Sequence, residues 1–238
     1  MRSADVPTDD DAHISSRRIA HRESKSERRR QQDRASRRRR LVVVKLGGSQ
    51  AFEPELRAWL AAIARSRGSI VIVPGGGPFA DAVRSHQRPM GYDDRAAHHM
   101  ALMAMAQFGR ALQSLNPVLR LTPSYSSIWR ALKNGEVPVW SPIPMAQAAG
   151  LPESWDLTSD SLAAWLAGSL AARRLVLVKH GQFASAAFDA DDLAARGVVD
   201  PLFPRYLRQS GVRAWLAAES DSARLADGLR QPVFPEIL

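Results

Sequence analysis

The chain has 238 residues, of which 45% are hydrophobic and 24% are charged, and its formal net charge is +9. This composition is typical of a globular protein with one well-buried domain, and it excludes a wholly disordered or collagen-like chain. The absence of cysteine excludes disulfides, thiolate nucleophiles, iron–sulfur clusters and cysteine-ligated zinc.

The first segment along the chain, residues 1–40, is rich in arginine, with 12 Arg and 1 Lys against 7 acidic residues. It has almost no apolar periodicity, so we expect a disordered tail. We interpret it as a dispensable extension, or as upstream sequence translated from a wrongly chosen start, because folded sequence begins abruptly at Leu41. The alternative is an electrostatic arm for nucleic acid or an anionic membrane. Residues 41–238 are expected to form the folded domain.

The folded domain opens with the same unit twice: a continuous apolar strand, a glycine-rich loop and a helix. The first unit comprises a strand over 41–44, the first glycine loop (Gly47 and Gly48) and a helix over 54–67. The second comprises a strand over 69–73, the second glycine loop (Gly75, Gly76 and Gly77) and a helix through 79–83.

The pattern of strands and helices continues to the end of the chain. We predict a helix over 93–115, a strand over 118–121, a helix over 126–132, a strand over 137–140, a helix capped by Thr158, a strand over 174–178, and a last strand and helix within 212–229. Continuous apolar strands that alternate with helices predict an α/β fold: an open, mostly parallel sheet between two layers of helices, in three layers. Both glycine loops then follow the carboxyl ends of strands, where such folds bind ligands.

Two glycine loops at one edge of a sheet favour a polyphosphate ligand. Glycines between a strand and a helix let backbone N–H groups approach an anion closely, and the helix N-terminus adds partial positive charge. Neither the Walker A pattern nor the dinucleotide pattern G-x-G-x-x-G occurs, so any phosphate chemistry belongs to a different fold. Taken alone, each loop is also explained by a tight turn or close helix packing.

Lys45 and Asp160 are the charged residues that the pattern singles out. Lys45 ends an apolar strand, and it should face an anion because a buried, unpaired ammonium group is costly. Asp160 lies in the first turn of a helix, where it stabilises the helix dipole, orients Lys45 or helps to hold a metal ion. Ordinary capping by Thr158 or Asp156 is the simpler interpretation of this segment.

Two further features of the 93–115 helix have mainly structural interpretations. His98 and His99 are not expected to bind metal, since neighbouring helical residues point in different directions, but either could contact a substrate group near the second glycine loop. Met100, Met103 and Met105 are interpreted as core or subunit-contact residues, which leaves a homo-oligomer open. The absence of an apolar run of roughly 20 residues, and of a secretory signal, predicts a cytoplasmic protein without membrane association.

Three segments together resemble the amino acid kinase superfamily: Val43-Val44-Lys45-Leu46-Gly47-Gly48-Ser49, Val73-Pro74-Gly75-Gly76-Gly77 and Thr158-Ser159-Asp160-Ser161. The resemblance runs from Leu41 to about Val178. It implies a kinase that transfers the γ-phosphoryl group of MgATP to a phosphate or a carboxylate without Walker motifs.

Longer segments around the second glycine loop, His98 and Asp160 resemble one branch, the 5-(aminomethyl)-3-furanmethanol phosphate kinases of methanofuran biosynthesis. This resemblance implies an enzyme that converts a phosphorylated aminomethylfuran to its diphosphate in C1-carrier cofactor biosynthesis. The same chemistry on UMP, isopentenyl phosphate or an amino acid carboxylate is the alternative. The expected partner is a small-molecule phosphate; nucleic acid is not expected.

The resemblance also implies roles for individual residues. Lys45 would stabilise charge on the phosphoryl group, Asp160 would orient Lys45, and the first glycine loop with Ser49 would contact ATP. The second glycine loop and Arg84 would hold the acceptor's phosphate, although a solvated arginine is as common in such a place. No side chain is assigned to a metal, because Mg²⁺ would neutralise the nucleotide oxygens.

The sequence departs from the superfamily after the strand over 174–178. The superfamily often continues with a Thr-Asp-x-Asp-Gly-like nucleotide turn, whereas this chain has Lys179-His180-Gly181-Gln182-Phe183. Lys179 is therefore interpreted as a second cationic contact to the ATP phosphates. The missing acidic pair keeps open a catalytically silent nucleotide or oxyanion binder of the same fold.

Overall fold

The structure, a computed structural model, describes residues 40–48, 54–229 and 233–238. Residues 1–39 and Ser49 lie outside these ranges, so the expectations for the arginine-rich tail and for Ser49 stay predictions. Within the described ranges, none of the helices combines the length and the apolar character that crossing a membrane requires.

The described residues alternate between strands and helices along most of the chain. The strands are β1 (Val42–Leu46), β2 (Ile70–Pro74), β3 (Leu119–Thr122), β4 (Val137–Trp140), β5 (Arg174–Lys179), β6 (Ala187–Phe188), β7 (Arg213–Ala218) and β8 (Glu236–Ile237). The helices are α1 (Pro54–Arg65), α2 (Gly77–Met90), α3 (Asp94–Leu115), α4 (Tyr125–Lys133), α5 (Ile143–Ala148), α6 (Ser159–Ser169), α7 (Ala190–Ala195), α8 (Phe203–Ser210) and α9 (Leu225–Gly228), with a 3₁₀ helix over Glu219–Arg224 before α9.

The eight strands of the described ranges belong to one sheet, in the order β3-β4-β2-β1-β5-β7-β8-β6. Neighbouring strands run parallel from β3 to β7, and β8 pairs antiparallel with β7. The predicted mostly parallel α/β fold is therefore confirmed. The sequence pattern did not reveal α5, α7, α8, β6 and β8, because each has eight residues or fewer, which is too short for a clear periodic signal.

The two faces of the sheet bury separate apolar clusters, as a three-layer fold requires. Side chains alternate along each strand, so Val43 and Leu177 pack on one face, whereas Val44 and Val178 pack on the other. On the first face α6 and α8 cover the central strands, and on the second face α1 and α9 do so.

This alternation decides where the two lysines at the strand ends point. Lys45 follows Val43 by two residues on β1, and Lys179 follows Leu177 by two on β5. A period of two therefore turns both lysines toward the face that α6 covers. β1 lies between β2 and β5, with Lys45 in register with Val73 and Leu177. The beginning of α6 thus faces two neighbouring ammonium groups.

Candidate functional site

The two glycine loops touch each other at the carboxyl edge of the sheet. The backbone N–H of Gly75 donates to the carbonyl oxygen of Leu46 at 2.8 Å, which ties the second loop to the end of β1. A Cβ atom on Gly48 would lie 2.1 Å from the backbone nitrogen of Gly77, and one on Gly75 would lie 2.5 Å from that of Gly48. Glycine at these positions is therefore required by close backbone approach, and the loops form one continuous backbone surface.

Beside this junction lies a buried ionic cluster, Lys45, Asp160 and Lys179, which we call the lysine–aspartate cluster. Lys45 Nζ lies 2.9 Å from Asp160 Oδ1, and Lys179 Nζ lies 2.7 Å from Asp160 Oδ2. The side chains of Lys45 and Asp160 are 6% and 5% exposed, and that of Lys179 is 17% exposed. With two ammonium groups and one carboxylate, the cluster holds one positive charge in excess, which suits an anionic ligand.

Burial and mutual attraction set the ionisation of the cluster. Burial alone would raise the pKa of Asp160, but the ammonium groups of Lys179 and Lys45 outweigh it and lower this pKa to about 2. Burial also lowers the pKa of Lys45 to about 8, against the opposing attraction of Asp160. Asp160 is therefore ionised at neutral pH, and Lys45 loses its proton more easily than an ordinary lysine.

Asp200 fixes the beginning of α6, and hence Asp160. Its Oδ2 accepts hydrogen bonds from the backbone N–H of Thr158 at 3.0 Å, the Thr158 hydroxyl at 2.9 Å and the backbone N–H of Ser161 at 3.0 Å. The Ser161 hydroxyl donates to its Oδ1. Thr158 holds the N-cap position, as predicted, but its side chain does not accept a hydrogen bond from the helix. Its hydroxyl instead donates to Asp200, and this carboxylate, 42 residues away, accepts from the helix N-terminus. Burial and the nearby Asp160 carboxylate raise the pKa of Asp200.

On the side of the second glycine loop, a cavity of about 220 Å³ opens between α2, α3 and the beginning of α6. Its polar wall contains backbone of both loops together with Asp81 and Arg84, and its apolar wall includes Trp155, Leu102, Met105 and Leu162. The Arg84 guanidinium lies over the Trp155 ring, 4.5 Å from the ring centroid, and Trp155 Nε1 donates to Gln87 Oε1 at 2.6 Å. The cavity therefore joins backbone of the two glycine loops to an aromatic wall.

The two neighbouring histidines have different surroundings. His98 is buried, lines the cavity and donates from Nδ1 to the carbonyl oxygen of Ser154 at 3.3 Å. Burial lowers its pKa, so its imidazole is neutral at pH 7. His99 is exposed and lies beside the Gln147 side chain. Among the described residues no group of three or more His, Asp or Glu side chains could hold a metal ion.

The turn after β5 places different groups where the superfamily often has an acidic pair. Lys179 points back to Asp160, and His180 Nδ1 lies 2.8 Å from Glu219 Oε2. Glu219 follows β7, and its carbonyl oxygen accepts a hydrogen bond from Trp59 Nε1 at 2.7 Å. The neighbouring strand thus supplies a carboxylate at this edge of the sheet. Nothing in the local sequence around residue 180 shows this pairing.

The structure therefore brings together most of the residues that the sequence singled out. Lys45, Asp160 and Lys179 form one cluster, Gly48 contacts the second glycine loop, and Arg84 lines the adjoining cavity. Sequence reasoning missed the part that Asp200 plays, because its partners are about 40 residues away. It also missed Asp81, although Asp81 and Arg84 are three residues apart, a spacing that places both on one side of a helix.

Comparisons with known proteins identify the family of this chain and a curated relative. The model of the amino acid kinase family matches residues 40–181. A curated relative, [5-(aminomethyl)furan-3-yl]methyl phosphate kinase from Methanocaldococcus jannaschii, is 24% identical over 196 residues, which cover 77% of this chain and 90% of that protein. The resemblance that the sequence motifs suggested is therefore confirmed.

Solved structures show the same fold. Uridylate kinase from Archaeoglobus fulgidus superposes with a TM-score of 0.63 at 17% identity, covering 83% of this chain and 100% of that chain. Aspartate kinase from Synechocystis superposes with a TM-score of 0.59 at 15% identity, covering 83% of this chain and 39% of that chain. Kinases for different acceptors thus share this arrangement of strands and helices.

Proposed function

The chain belongs to the amino acid kinase family and is a phosphotransferase, and on that premise we propose that it phosphorylates a phosphorylated aminomethylfuran with MgATP. The product is a diphosphate for C1-carrier cofactor biosynthesis. One observation carries the proposal: the two glycine loops are in backbone contact beside the lysine–aspartate cluster. Phosphoryl transfer needs two phosphates held close together next to positive charge, and the contact of the two loops beside two ammonium groups supports this role.

The donor phosphates fit the first glycine loop and the lysine–aspartate cluster. Backbone N–H groups of Gly47 and Gly48 would contact phosphate oxygens. Glycine at position 48 supports this role, because it keeps the loop free of a side chain where it meets Gly77. Lys45 stabilises negative charge on the phosphoryl group, and Asp160 holds the ammonium groups of Lys45 and Lys179 apart from each other and in position. Ser49 is proposed as a further contact to the nucleotide.

The donor set of the cluster indicates how Mg²⁺ is accommodated. Both carboxylate oxygens of Asp160 face ammonium groups, so this residue is a poor metal ligand. The nucleotide itself offers the hard oxygen atoms that Mg²⁺ prefers. MgATP, when bound, supplies the phosphoryl group with part of its negative charge already neutralised. The residues of the chain supply the remaining positive charge and the alignment.

The acceptor phosphate fits the second glycine loop and the N-terminus of α2, which begins at Gly77. Arg84, one or two helical turns further along α2, can close on a phosphate or remain stacked on Trp155. An acceptor oxygen held here forms the new P–O bond as the bond between the γ-phosphorus and ADP breaks. No covalent intermediate on the protein is needed, because the loops hold both reactants for direct transfer.

The acceptor group is inferred from the cavity and from the curated relative. Trp155, Leu102 and Met105 give the cavity an apolar and partly aromatic wall, which suits a small ring. The relative's printed name describes a kinase that acts on a phosphorylated aminomethylfuran.

Two other functions have specific support. The structural similarity to uridylate kinase favours UMP as a second candidate acceptor. The replacement of the acidic turn by Lys179-His180-Gly181 favours a silent nucleotide binder as the third.

Phosphorus NMR of the purified protein tests these candidates against one another. The protein is incubated with MgATP and, in separate samples, with the phosphorylated aminomethylfuran, UMP, isopentenyl phosphate, aspartate and acetylglutamate. We expect ADP and a new diphosphate in the furan sample alone. Turnover of a different acceptor would refute the substrate, and ATP binding without ADP in any sample would support the silent binder.

We also propose that the protein works in the cytoplasm as a homo-oligomer that needs no nucleic acid. α3 exposes Met103 and α2 exposes Met90, with 45% and 71% of their surface accessible, and these side chains are candidates for a subunit contact. Sedimentation equilibrium of the full chain, with and without 0.5 M salt and with added RNA, measures both the oligomer and any association through the arginine-rich tail.

A further inference from the structure

Asp81 is a carboxylate in the wall of the cavity that we propose for the acceptor's phosphate. It lies on α2, one helical turn after the second glycine loop, and is exposed to the cavity rather than to the core. In the part of the chain that the structure describes, its carboxylate makes neither an ion pair nor a side-chain hydrogen bond. An acid in this place opposes the binding of a simple phosphate, so its presence calls for a positively charged group in the ligand.

The cation that would ordinarily neutralise Asp81 is turned away from it. Arg84 follows three residues later on the same helix, which is the spacing of helical ion pairs. Its guanidinium instead stacks over Trp155, at 4.5 Å from the ring centroid. Trp155 is itself held by the hydrogen bond from Nε1 to Gln87 Oε1. The stack of Arg84 and Trp155 therefore leaves Asp81 without a cationic partner among the described residues, so that a ligand could pair with it.

The distances along α2 define the shape of that ligand. Gly77, at the beginning of the helix, belongs to the phosphate-binding surface, and Asp81 follows after four residues, a rise of about 6 Å. The same cavity is also lined by the apolar side chains of Trp155, Leu102 and Leu162. A matching ligand has a phosphate at one end, a small apolar ring in the middle and an ammonium group at the other end.

We infer that Asp81 selects the acceptor by pairing with its ammonium group, and that the acceptor is a zwitterionic phosphate ester of a ring-bearing primary amine. This inference rests on the proposed function and assigns its specificity to one residue. UMP and isopentenyl phosphate carry no cation, so Asp81 disfavours both. Asp81 could instead accept hydrogen bonds from ribose hydroxyls. Such bonds need no charge on Asp81, so Asp81→Asn would weaken them less than it would weaken an ion pair.

The test compares two ligands that differ only in charge: [5-(aminomethyl)furan-3-yl]methyl phosphate and the analogue with a hydroxymethyl group in place of the aminomethyl group. Binding of each is measured by calorimetry at pH 7 to the full chain and to Asp81→Asn, with ADP release as a separate readout. Asp192→Asn is the matched control: Asp192 is exposed on α7, and this substitution removes the same charge at a position that does not line the cavity. Thermal melting of each variant verifies the fold.

We expect the unmodified protein to bind the amine on the order of tenfold to a hundredfold more tightly than the hydroxymethyl analogue. In Asp81→Asn the two affinities should differ by no more than about threefold, because only binding of the amine is weakened. Asp192→Asn should leave the ratio of the two affinities unchanged. A ratio that persists in Asp81→Asn, or that is absent from the unmodified protein, would overturn the inference. So would tight UMP binding that Asp81→Asn weakens.

The two proposals fail in different ways. If the amine is preferred through Asp81 but no ADP is released, the kinase proposal is wrong and the assignment of Asp81 holds. If both furan phosphates are phosphorylated with equal kcat/KM, the kinase proposal holds and the assignment of Asp81 is wrong.

Discussion

The contact between the glycine loops makes Gly48→Ala a quantitative test of how the site works. The new Cβ would lie 2.1 Å from the backbone nitrogen and 2.2 Å from the Cα of Gly77. Ordinary contact begins at 3.4 Å, and no flexible side chain stands in the way that could yield, so the loops must separate by about 1.3 Å, the difference between 2.1 Å and 3.4 Å. A displacement of about 1 Å between reacting groups costs roughly a hundredfold in rate. Crowding of this kind destabilises a fold by about 1–3 kcal/mol.

We therefore expect Gly48→Ala to lower kcat about a hundredfold while the protein stays folded, as measured by ADP release and by thermal melting. Gly135→Ala is the matched control. Gly135 has a φ of +72°, where alanine is strained by about 1–2 kcal/mol, but a Cβ there meets nothing within 4 Å. Gly135 also lies just before β4, at the opposite edge of the sheet from the loops. A kcat for Gly48→Ala within twofold of that of Gly135→Ala would show that loop spacing does not govern phosphoryl transfer.

Three further predictions concern the lysine–aspartate cluster and its support. Lys45→Ala should lower kcat, measured by ADP release, by roughly a hundredfold to a thousandfold, while calorimetry should still show ATP binding. Unchanged turnover would exclude a role of Lys45 in phosphoryl transfer. Because the pKa of Lys45 is lowered to about 8, its ammonium form is lost as the pH rises through that value, so kcat/KM for ATP should fall above pH 8. A profile that stays flat to pH 9.5 would contradict this. Asp200→Asn should weaken the hydrogen bonds to Thr158 and Ser161, and it should therefore lower both kcat and the free energy of unfolding, the latter by about 1–3 kcal/mol in urea denaturation. An unaltered urea midpoint would show that Asp200 does not stabilise the beginning of α6.

The central part of the fold follows from the sequence because its strands are continuous and apolar. The predicted bounds of β4 match the structure, and those of β1, β2, β3 and β5 differ by one or two residues. The region from 187 to 210 was not predicted, since α7 and α8 are short and β6 has only two residues. Such short elements are stabilised by tertiary packing: Leu193 of α7 and Phe203 of α8 are buried in the same apolar cluster as α6.

The site could be predicted where a signal is local and could not where it depends on tertiary structure. Lys45 was recognisable as a charge at the end of an apolar strand, and the glycine loops by composition. The support from Asp200 could not be read from the sequence, because it joins residues about 40 positions apart. The stacking of Arg84 on Trp155, which leaves Asp81 unpaired by its helical neighbour, likewise depends on how α2 packs beside the beginning of α6.

In the proposed mechanism, the donor and acceptor phosphates meet where the two glycine loops touch. A crystal structure with Mg²⁺, a nonhydrolysable ATP analogue and the furan phosphate measures this directly. We expect the γ-phosphorus beside Lys45 and the first glycine loop, with an acceptor oxygen about 3–3.5 Å away, held by the second loop. Nucleotide phosphates bound away from both loops, or an acceptor phosphate outside the cavity at Gly77, would contradict it.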